Sequence, residues 1–176
     1  SYKMMQQVWE VFQEREGLLE EMDSICQESG MTEEERELFL NHFSEHREKT
    51  LIGFCVMGGI FAEGIDLKGE SLIGVLIVGT GLPQISNERE ILKQFYDESE
   101  GAGFEYAFRY PGMNKVLQAA GRVIRTGEDR GVILLLDERF LEEGYQRLFP
   151  REWEDCRCVT LNEVRGAVEG FFAMGP

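Results

Sequence analysis

Apolar residues recur along much of this chain at the three- and four-residue steps of a helix. From residue 2 to about residue 16 this pattern predicts an amphipathic helix, with Ser1 placed to cap its first turn. Thr32 followed by three glutamates is typical of a capping box, which predicts a second helix over residues 33–46. Residues 20–30 are polar and irregular, and no element is predicted there. Further helical patterns cover residues 86–99, 112–125 and 162–172.

Short runs that are almost wholly apolar separate several of these helices. They cover residues 50–56 (TLIGFCV), 72–78 (LIGVLIV) and 132–136 (VILLL), with a shorter run at 158–161. Such runs are typical of strands that are buried on both faces of a sheet. Strands that alternate with helices predict an α/β fold, with a mostly parallel central sheet and helices on both faces. In folds of this kind, ligands bind at the loops that follow the carboxyl ends of the strands.

Composition narrows the class of protein. A length of 176 residues with 43% hydrophobic residues is typical of one globular domain with a buried core. The net charge is −15, and long-range repulsion of polyanions on this scale argues against a nucleic-acid binder. No apolar stretch reaches the roughly 18 residues of a membrane span, and no signal peptide is evident. The four cysteines form no disulfide framework, so we expect a cytoplasmic protein with reduced thiols and no membrane partner.

A glycine-rich loop over residues 57–69 (MGGIFAEGIDLKG) is the first candidate for a binding site. It follows a predicted strand directly, and its four glycines permit positive φ angles and close approach of a ligand to main-chain amides. Glu63 and Asp66 lie on either side of Gly64, where a carboxylate could accept hydrogen bonds from a sugar hydroxyl. An ordinary turn with solvated acids is the alternative that the spacing leaves open.

The helix predicted over residues 112–125 is the second candidate. At about 100° per residue, one face gathers Met113, Val116, Leu117, Ala120, Val123 and Ile124. The other face gathers Gln118, Gly121, Arg122 and Arg125. An interior glycine costs about 1 kcal/mol relative to alanine, so Gly121 suggests that a surface or ligand presses against this face. Two guanidinium groups one turn apart match the oxygens of a triphosphate, and without a G-x-x-x-x-G-K-[ST] loop in this chain they would act in trans.

Together these segments resemble a known family. Residues 61–69 (FAEGIDLKG) and 118–125 (QAAGRVIR) are similar to motifs V and VI of superfamily 2 helicases of the DinG/XPD type, in the same order and about fifty residues apart. The opening SYKMMQQVWE resembles the residues after the first strand of that family's second RecA-like domain, and residues 132–140 resemble the strand after motif VI. Many other superfamily 2 helicases begin motif VI with His-Arg, so Gln118 followed by alanine favours this branch over the DEAD-box one.

The resemblance implies a RecA-like P-loop NTPase fold and an activity that this chain would share with a second domain. Residues 1–176 are expected to form a single domain of a larger protein, with the first strand truncated and with an N-terminal RecA-like domain in the same polypeptide. Relatives hydrolyse ATP with Mg²⁺ between the two domains and move along single-stranded DNA, typically 5′ to 3′. We therefore expect an ATP-dependent DNA helicase with a role in DNA repair. This chain alone is expected to have no activity.

The resemblance also assigns roles to individual residues. Motif V positions that approach ATP are matched by Glu63, Gly64 and Asp66, with the aspartate at the ribose. Motif VI positions near the phosphates are matched by Gln118, Gly121, Arg122 and Arg125, with the two arginines as arginine fingers. Positions where relatives contact the DNA backbone are matched by Ser1, Tyr2, Gly58 and Gly59. Relatives that carry an iron–sulfur cluster hold it in their first domain, and the cysteines here lack the ligand spacing, so no cluster is expected in this chain.

Several alternatives accompany this interpretation. The chain could instead be a non-enzymatic module with a RecA-like or flavodoxin-like sheet that binds a basic partner through its acidic surface. Another P-loop motor, such as a nuclease subunit or a chromatin translocase, is a third possibility. His42 and His46 are interpreted as surface histidines, because no third metal ligand follows at suitable spacing. Cys156 and Cys158 are interpreted as strand residues that face opposite sides.

Overall fold

The computed structural model describes residues 1–44, 47–58, 72–124, 127 and 129–174. The chain divides into two compact units, Ser1–Leu136 and Asp137–Pro176. Every strand in the described ranges lies in the first unit. No helix in these ranges is long and apolar enough to cross a membrane.

Helices and strands alternate through the first unit. The helices are α1 (Tyr2–Gln13), α2 (Glu16–Glu21), α3 (Glu33–Ser44), α4 (Asn87–Glu100) and α5 (Tyr110–Ala120). The strands are β1 (Met22–Cys26), β2 (Thr50–Phe54), β3 (Gly74–Val78) and β4 (Val132–Leu136). A π-helical turn, Glu105–Arg109, leads directly into α5.

Side-chain caps begin three of these helices. The hydroxyl oxygens of Ser1 and Ser86 each accept a hydrogen bond from the amide three residues further on, at 3.4 and 3.3 Å. Thr32 and Glu35 form the reciprocal bonds of a capping box, at 3.3 and 2.7 Å. These bonds satisfy amides that a helix leaves without partners at its start. The predicted starts of α1, α3 and α4 are therefore confirmed, and each depends on residues that are close in the sequence.

All strand pairing in the described residues is parallel. β1 pairs with β2 in the register Met22 to Thr50, and β3 pairs with β4 in the register Gly74 to Val132. Parallel pairing between strands joined by helices confirms the predicted α/β class. Among the described residues the two pairs form separate two-stranded sheets, whereas the sequence predicts one central sheet.

The second unit is built from short helical segments and one longer helix. These are two 3₁₀ turns (Glu138–Leu141 and Arg151–Trp153), α6 (Glu143–Gln146) and α7 (Leu161–Ala173). The rings of Phe140, Phe149 and Trp153 pack in series, with centroids 6.4 and 5.3 Å apart. The first turn is capped by Asp137, whose carboxylate also pairs with the Arg139 guanidinium at 2.7 Å. That hydrogen bond holds the pKa of Asp137 below its usual value.

Two predictions about extended segments are wrong. β1 lies within the residues predicted to be irregular, because Asp23 and Ser24 interrupt its apolar residues and leave no apolar run. Its pairing with β2, more than twenty residues away in the sequence, makes it a strand. The strand predicted at 158–161 is absent from these described residues, because Thr160 instead caps α7 through a capping box with Glu163. Cys156 and Cys158 are accordingly exposed thiols outside any strand.

Residues of α5 supply much of the core of the first unit. The apolar face predicted for this helix is confirmed by four buried side chains, Met113, Val116, Ala120 and Val123. Ile124 is 47% exposed and does not belong to that face. The rings of Tyr96 and Tyr106 stack at 4.0 Å, which packs α4 against the turn before α5. Burial along most of its length therefore holds α5 in a defined position, and the candidate site residues depend on that position.

Candidate functional site

The amino-terminal end of α5 packs against the loop that follows β3. A Cβ built on Gly112 would lie 2.7 Å from the Thr80 carbonyl oxygen, and one built on Gly81 would lie 2.7 Å from the Gly112 carbonyl oxygen. Real Cβ atoms do not approach a backbone oxygen so closely, so the two backbones can meet here only through glycine. Gly81 also has a φ of +67°, which favours glycine independently. The start of α5 is therefore fixed to the carboxyl end of β3.

The other end of α5 leads to the amino ends of β3 and β4. Val123, three residues after the helix, lies against Gly131, where an added Cβ would come within 2.1 Å of a Val123 methyl carbon. Gly131 and Ile73 directly precede the two strands, and the Val132 amide donates to the Ile73 carbonyl at 3.0 Å. An α-helix rises about 1.5 Å per residue, so the eleven residues of α5 extend along much of the length of β3.

Two of the residues predicted to contact nucleotide phosphates, Gln118 and Arg122, lie at this second end. Gln118 is exposed in the last turn of α5, and Arg122 is half-buried just after the helix. Loops at the carboxyl ends of the strands are the expected ligand-binding positions in this fold class, whereas Gln118 and Arg122 lie toward the amino ends of β3 and β4. Because α5 runs antiparallel to β3, its final turn reaches the opposite edge of the sheet.

The helix ends earlier than the sequence predicts. Ala120 is its last residue, and Gly121 is its C-cap with a φ of −66°. The Arg122 and Val123 amides then donate to carbonyls three residues back, at 3.2 and 3.1 Å, which is the tighter winding of a 3₁₀ turn. Gly121 is therefore not an interior helical glycine, and the inference that a ligand presses on it loses its energetic basis.

Five of the predicted site residues lie outside the described residues. They are Gly59, Glu63, Gly64, Asp66 and Arg125. His46 is also outside them, whereas His42 is half-buried and lies 3.1 Å from an Arg47 guanidinium nitrogen through its Nδ1. Among the residues that the structure describes, no group of three or more His, Cys, Asp or Glu side chains could hold a metal ion.

Three of the residues predicted to contact nucleic acid, Ser1, Tyr2 and Gly58, lie at the carboxyl ends of β1 and β2. Gln27 directly follows β1 and is 2% exposed. Its side-chain amide donates to the Tyr2 hydroxyl at 2.9 Å, and its side-chain oxygen accepts from the Val56 amide at 2.8 Å. Gln27 thus connects the first turn of α1 to the chain just before Gly58. The structure brings Ser1, Tyr2 and Gly58 to one edge of this strand pair.

Sequence reasoning missed two residues of this edge, Gln27 and Lys115. Gly58 has a φ of +80°, and a Cβ built on it would lie 2.8 Å from Cδ of Lys115 on α5. A glutamine after a short strand and a lysine on a helix are both common, so no sequence signal marks them. Strand pairing and helix packing place them beside Tyr2 and Gly58.

The buried hydroxyl of Thr80, in the loop against which α5 packs, leads to a prediction about stability. The residue is 1% exposed, and its hydroxyl has no hydrogen-bond partner in the described part of the chain. A buried polar group without a partner costs about 1–3 kcal/mol, so Thr80→Val is expected to raise the free energy of unfolding by about 1 kcal/mol. Urea unfolding of the 176-residue chain measures this change.

The matched control is the same substitution at Thr160. That hydroxyl belongs to the capping box of α7, and removal of an N-cap lowers helix stability by about 1 kcal/mol. The two substitutions should therefore change stability in opposite directions. A loss of stability in Thr80→Val would show that its hydroxyl makes a bond of its own.

Comparison with known proteins identifies the relatives of this chain. A family model described as helicase C-terminal domain matches residues 1–156. The ATP-dependent DNA helicase XPD of Sulfolobus acidocaldarius is 34% identical over 121 residues, which are 66% of this chain and 20% of that protein. The ATP-dependent DNA helicase CHL1 of Yarrowia lipolytica is 27% identical and covers 98% of this chain and 25% of its own length.

The fold of this chain is also similar to that of a solved helicase structure. A structure described as XPD helicase superposes with a TM-score of 0.60 at 25% identity, over 84% of this chain and 25% of that one. The regulator of telomere elongation helicase 1 homolog of Caenorhabditis elegans is 30% identical over 61% of this chain and 12% of that protein. The chain thus spans a quarter or less of the length of these relatives.

Proposed function

Because this chain belongs to the family of helicase C-terminal domains, we propose that it is the second motor domain of an ATP-dependent DNA helicase of the DinG/XPD type. In this proposal an N-terminal RecA-like domain of the same polypeptide supplies the other half of the ATP site. One observation carries the proposal: α5 has candidate phosphate-binding residues at its carboxyl end, and Lys115, in the middle of the helix, reaches Gly58 beyond the carboxyl end of β2.

The carboxyl-terminal end of α5 suits the binding of phosphate oxygens. Gln118 and Arg122 are four residues apart, and both reach solvent there. An amide and a guanidinium group supply hydrogen-bond donors, and the guanidinium fork matches phosphate geometry. Arg122, with Arg125 as a second arginine finger, would stabilise the negative charge that develops on the transferred phosphoryl group. We expect the ligands of Mg²⁺ to come from the other domain.

Motif V completes this half of the site in the proposal. Asp66 would accept hydrogen bonds from the ribose, Gly64 would allow close approach of the nucleotide, and Glu63 would lie beside them. These residues belong to the segment 59–71, which joins Gly58, after the carboxyl end of β2, to the residues that lead into β3. The segment that carries motif V thus connects the proposed DNA-binding edge to β3. The amino end of β3 lies beside Val123.

Single-stranded DNA would pass along the carboxyl ends of β1, β2 and β3. Ser1, Tyr2, Gly58 and Gly59 are the proposed contacts, and the polarity of movement would be 5′ to 3′. Backbone contacts through Gly81 and Gly112 fix α5 to this edge, and Val123 fixes its other end. Closure of the second domain on the phosphates would therefore move the DNA edge together with α5, since the packed core is not easily deformed.

The shared site predicts a difference between the isolated chain and the full-length protein. The 176-residue chain alone should show no measurable ATP turnover, because half a cleft leaves the phosphates in water. The full-length protein should hydrolyse ATP faster when a single-stranded oligonucleotide is added. A coupled phosphate-release assay with and without oligothymidylate measures both.

Either of two results would count against this proposal. Sustained hydrolysis by the 176-residue chain would mean that the site is not shared. A full-length protein without DNA-stimulated turnover would favour the non-enzymatic interaction module instead.

A further inference from the structure

The side chain of Lys115 extends from α5 toward the carboxyl end of β2. A Cβ built on Gly81 would lie 3.5 Å from Cβ of Lys115, and one built on Gly58 would lie 2.8 and 3.0 Å from its Cδ and Cε. The hydrocarbon stem therefore passes Gly81 near its base and Gly58 near its tip. Since Nζ is bonded to Cε, the ammonium group lies beside the turn at Gly58.

Two glycines with left-handed backbone conformations hold this stem. Gly58 and Gly81 have φ angles of +80° and +67°. Residues other than glycine adopt such angles at a cost of about 1–2 kcal/mol. A side chain at position 58 would also displace the stem, because its Cβ would clash with it. The long lysine side chain, which otherwise has much rotational freedom, is thereby directed to one place on the surface.

The positive charge at the end of this stem has no hydrogen-bond or ion-pair partner among the described residues. Lys49 donates to a backbone carbonyl and Lys93 pairs with Asp97, at 3.3 and 2.6 Å. The Lys115 ammonium makes no hydrogen bond or ion pair in the part of the chain that the structure describes, nor does that of Lys3, next to Tyr2. In a chain with 33 acidic residues, Lys115 therefore offers a positive charge beside Gly58.

We propose that Lys115 binds a backbone phosphate of single-stranded nucleic acid at the carboxyl end of β2. This inference rests on the function proposed above and adds a contact that neither motif V nor motif VI contains. An ammonium group is a compact charge that suits a phosphate oxygen. Gly58 has no side chain that would displace the stem or cover the ammonium group. Phosphate contacts of this kind set the position of a strand without reading its sequence.

Binding of oligothymidylate by the full-length protein tests this contact. Lys115→Met keeps the hydrocarbon stem against Gly58 and removes the charge, and Lys115→Arg keeps a cation. Fluorescence anisotropy over a range of salt concentrations gives the slope of log affinity against log salt. Each phosphate contact with a single strand contributes about 0.7 to this slope. Lys93→Met is the matched control, because it removes one lysine charge from an exposed ion pair on α4.

We expect Lys115→Met to reduce the magnitude of the slope by about 0.7 and to weaken binding about fivefold at about 0.1 M salt. Lys115→Arg and Lys93→Met should keep the parent slope. An unchanged slope in Lys115→Met overturns the inference, even if affinity falls, because a loss of affinity alone would reflect structure rather than a phosphate contact. If the parent binds and hydrolyses normally, only this inference fails; if the parent binds no oligonucleotide, the proposed function fails with it.

Discussion

Replacement of Arg122 by alanine in the full-length protein is expected to lower DNA-stimulated ATP turnover by about a thousandfold or more. Arginine fingers contribute factors of roughly 10³ to 10⁵ to phosphoryl transfer, because they neutralise charge that is greatest in the transition state. Arg122→Lys should recover little of this activity, since an ammonium group cannot reproduce the planar fork of a guanidinium. Steady-state turnover at saturating ATP and oligonucleotide measures both variants.

Arg147→Ala is the matched control for this experiment. Arg147 forms an exposed ion pair with Glu143 in α6, where both side chains are more than 70% exposed. Such pairs contribute at most about 1 kcal/mol to stability, so turnover should stay near that of the parent. Thermal unfolding shows whether the Arg122 variants fold. Normal turnover in folded Arg122→Ala would refute the assignment of this residue to the phosphates.

Gly81→Ala is expected to lower the free energy of unfolding by about 3 kcal/mol. The left-handed conformation costs an L-residue about 1–2 kcal/mol, and overpacking adds about 1–3 kcal/mol. The second cost arises because the new Cβ would lie 2.7 Å from the Gly112 carbonyl oxygen. Neither backbone can move freely, since the loop follows β3 and Gly112 lies in α5. Urea unfolding of the 176-residue chain measures the change.

Gly101→Ala separates these two costs. Gly101 ends α4 with a φ of +68°, almost the same as at Gly81, and an added Cβ would meet nothing within 4 Å. It should therefore cost only the conformational strain, about 1–2 kcal/mol. The difference between the two variants measures the close approach of α5 to the loop after β3. Equal losses in both would contradict the packing that positions α5.

Local features of the fold could be predicted from the sequence. Ser1, Thr32 and Ser86 mark helix starts because a cap bonds to an amide only three residues away. The apolar runs at β2, β3 and β4 predict strands, and this is confirmed. The expected burial on both faces is wrong, because Leu76 and Val78 of β3 are 64% and 45% exposed. The apolar period likewise predicts the buried face of α5, because that period follows from helix geometry.

Features that depend on a distant partner, or on which of two local patterns prevails, could not be predicted in the same way. β1 becomes a strand through its pairing with β2, and the run at 158–161 is displaced by the cap of α7. α5 ends at Ala120 although helical periodicity continues to 125, and the following residues instead form a tighter turn. In each case the apolar pattern is compatible with more than one structure, and packing or capping selects one.

The same distinction between local sequence and tertiary packing applies to the candidate site. The segments that resemble motifs V and VI are each contiguous, so the sequence by itself determined the family and the choice of Gln118 and Arg122 as candidates. Only the tertiary structure decided that these two residues lie at the end of α5 that is away from the carboxyl end of β3. Only packing brought Lys115 to Gly58, because the approach of two backbones depends on strand order and on glycines far apart in the chain, which no local periodicity encodes.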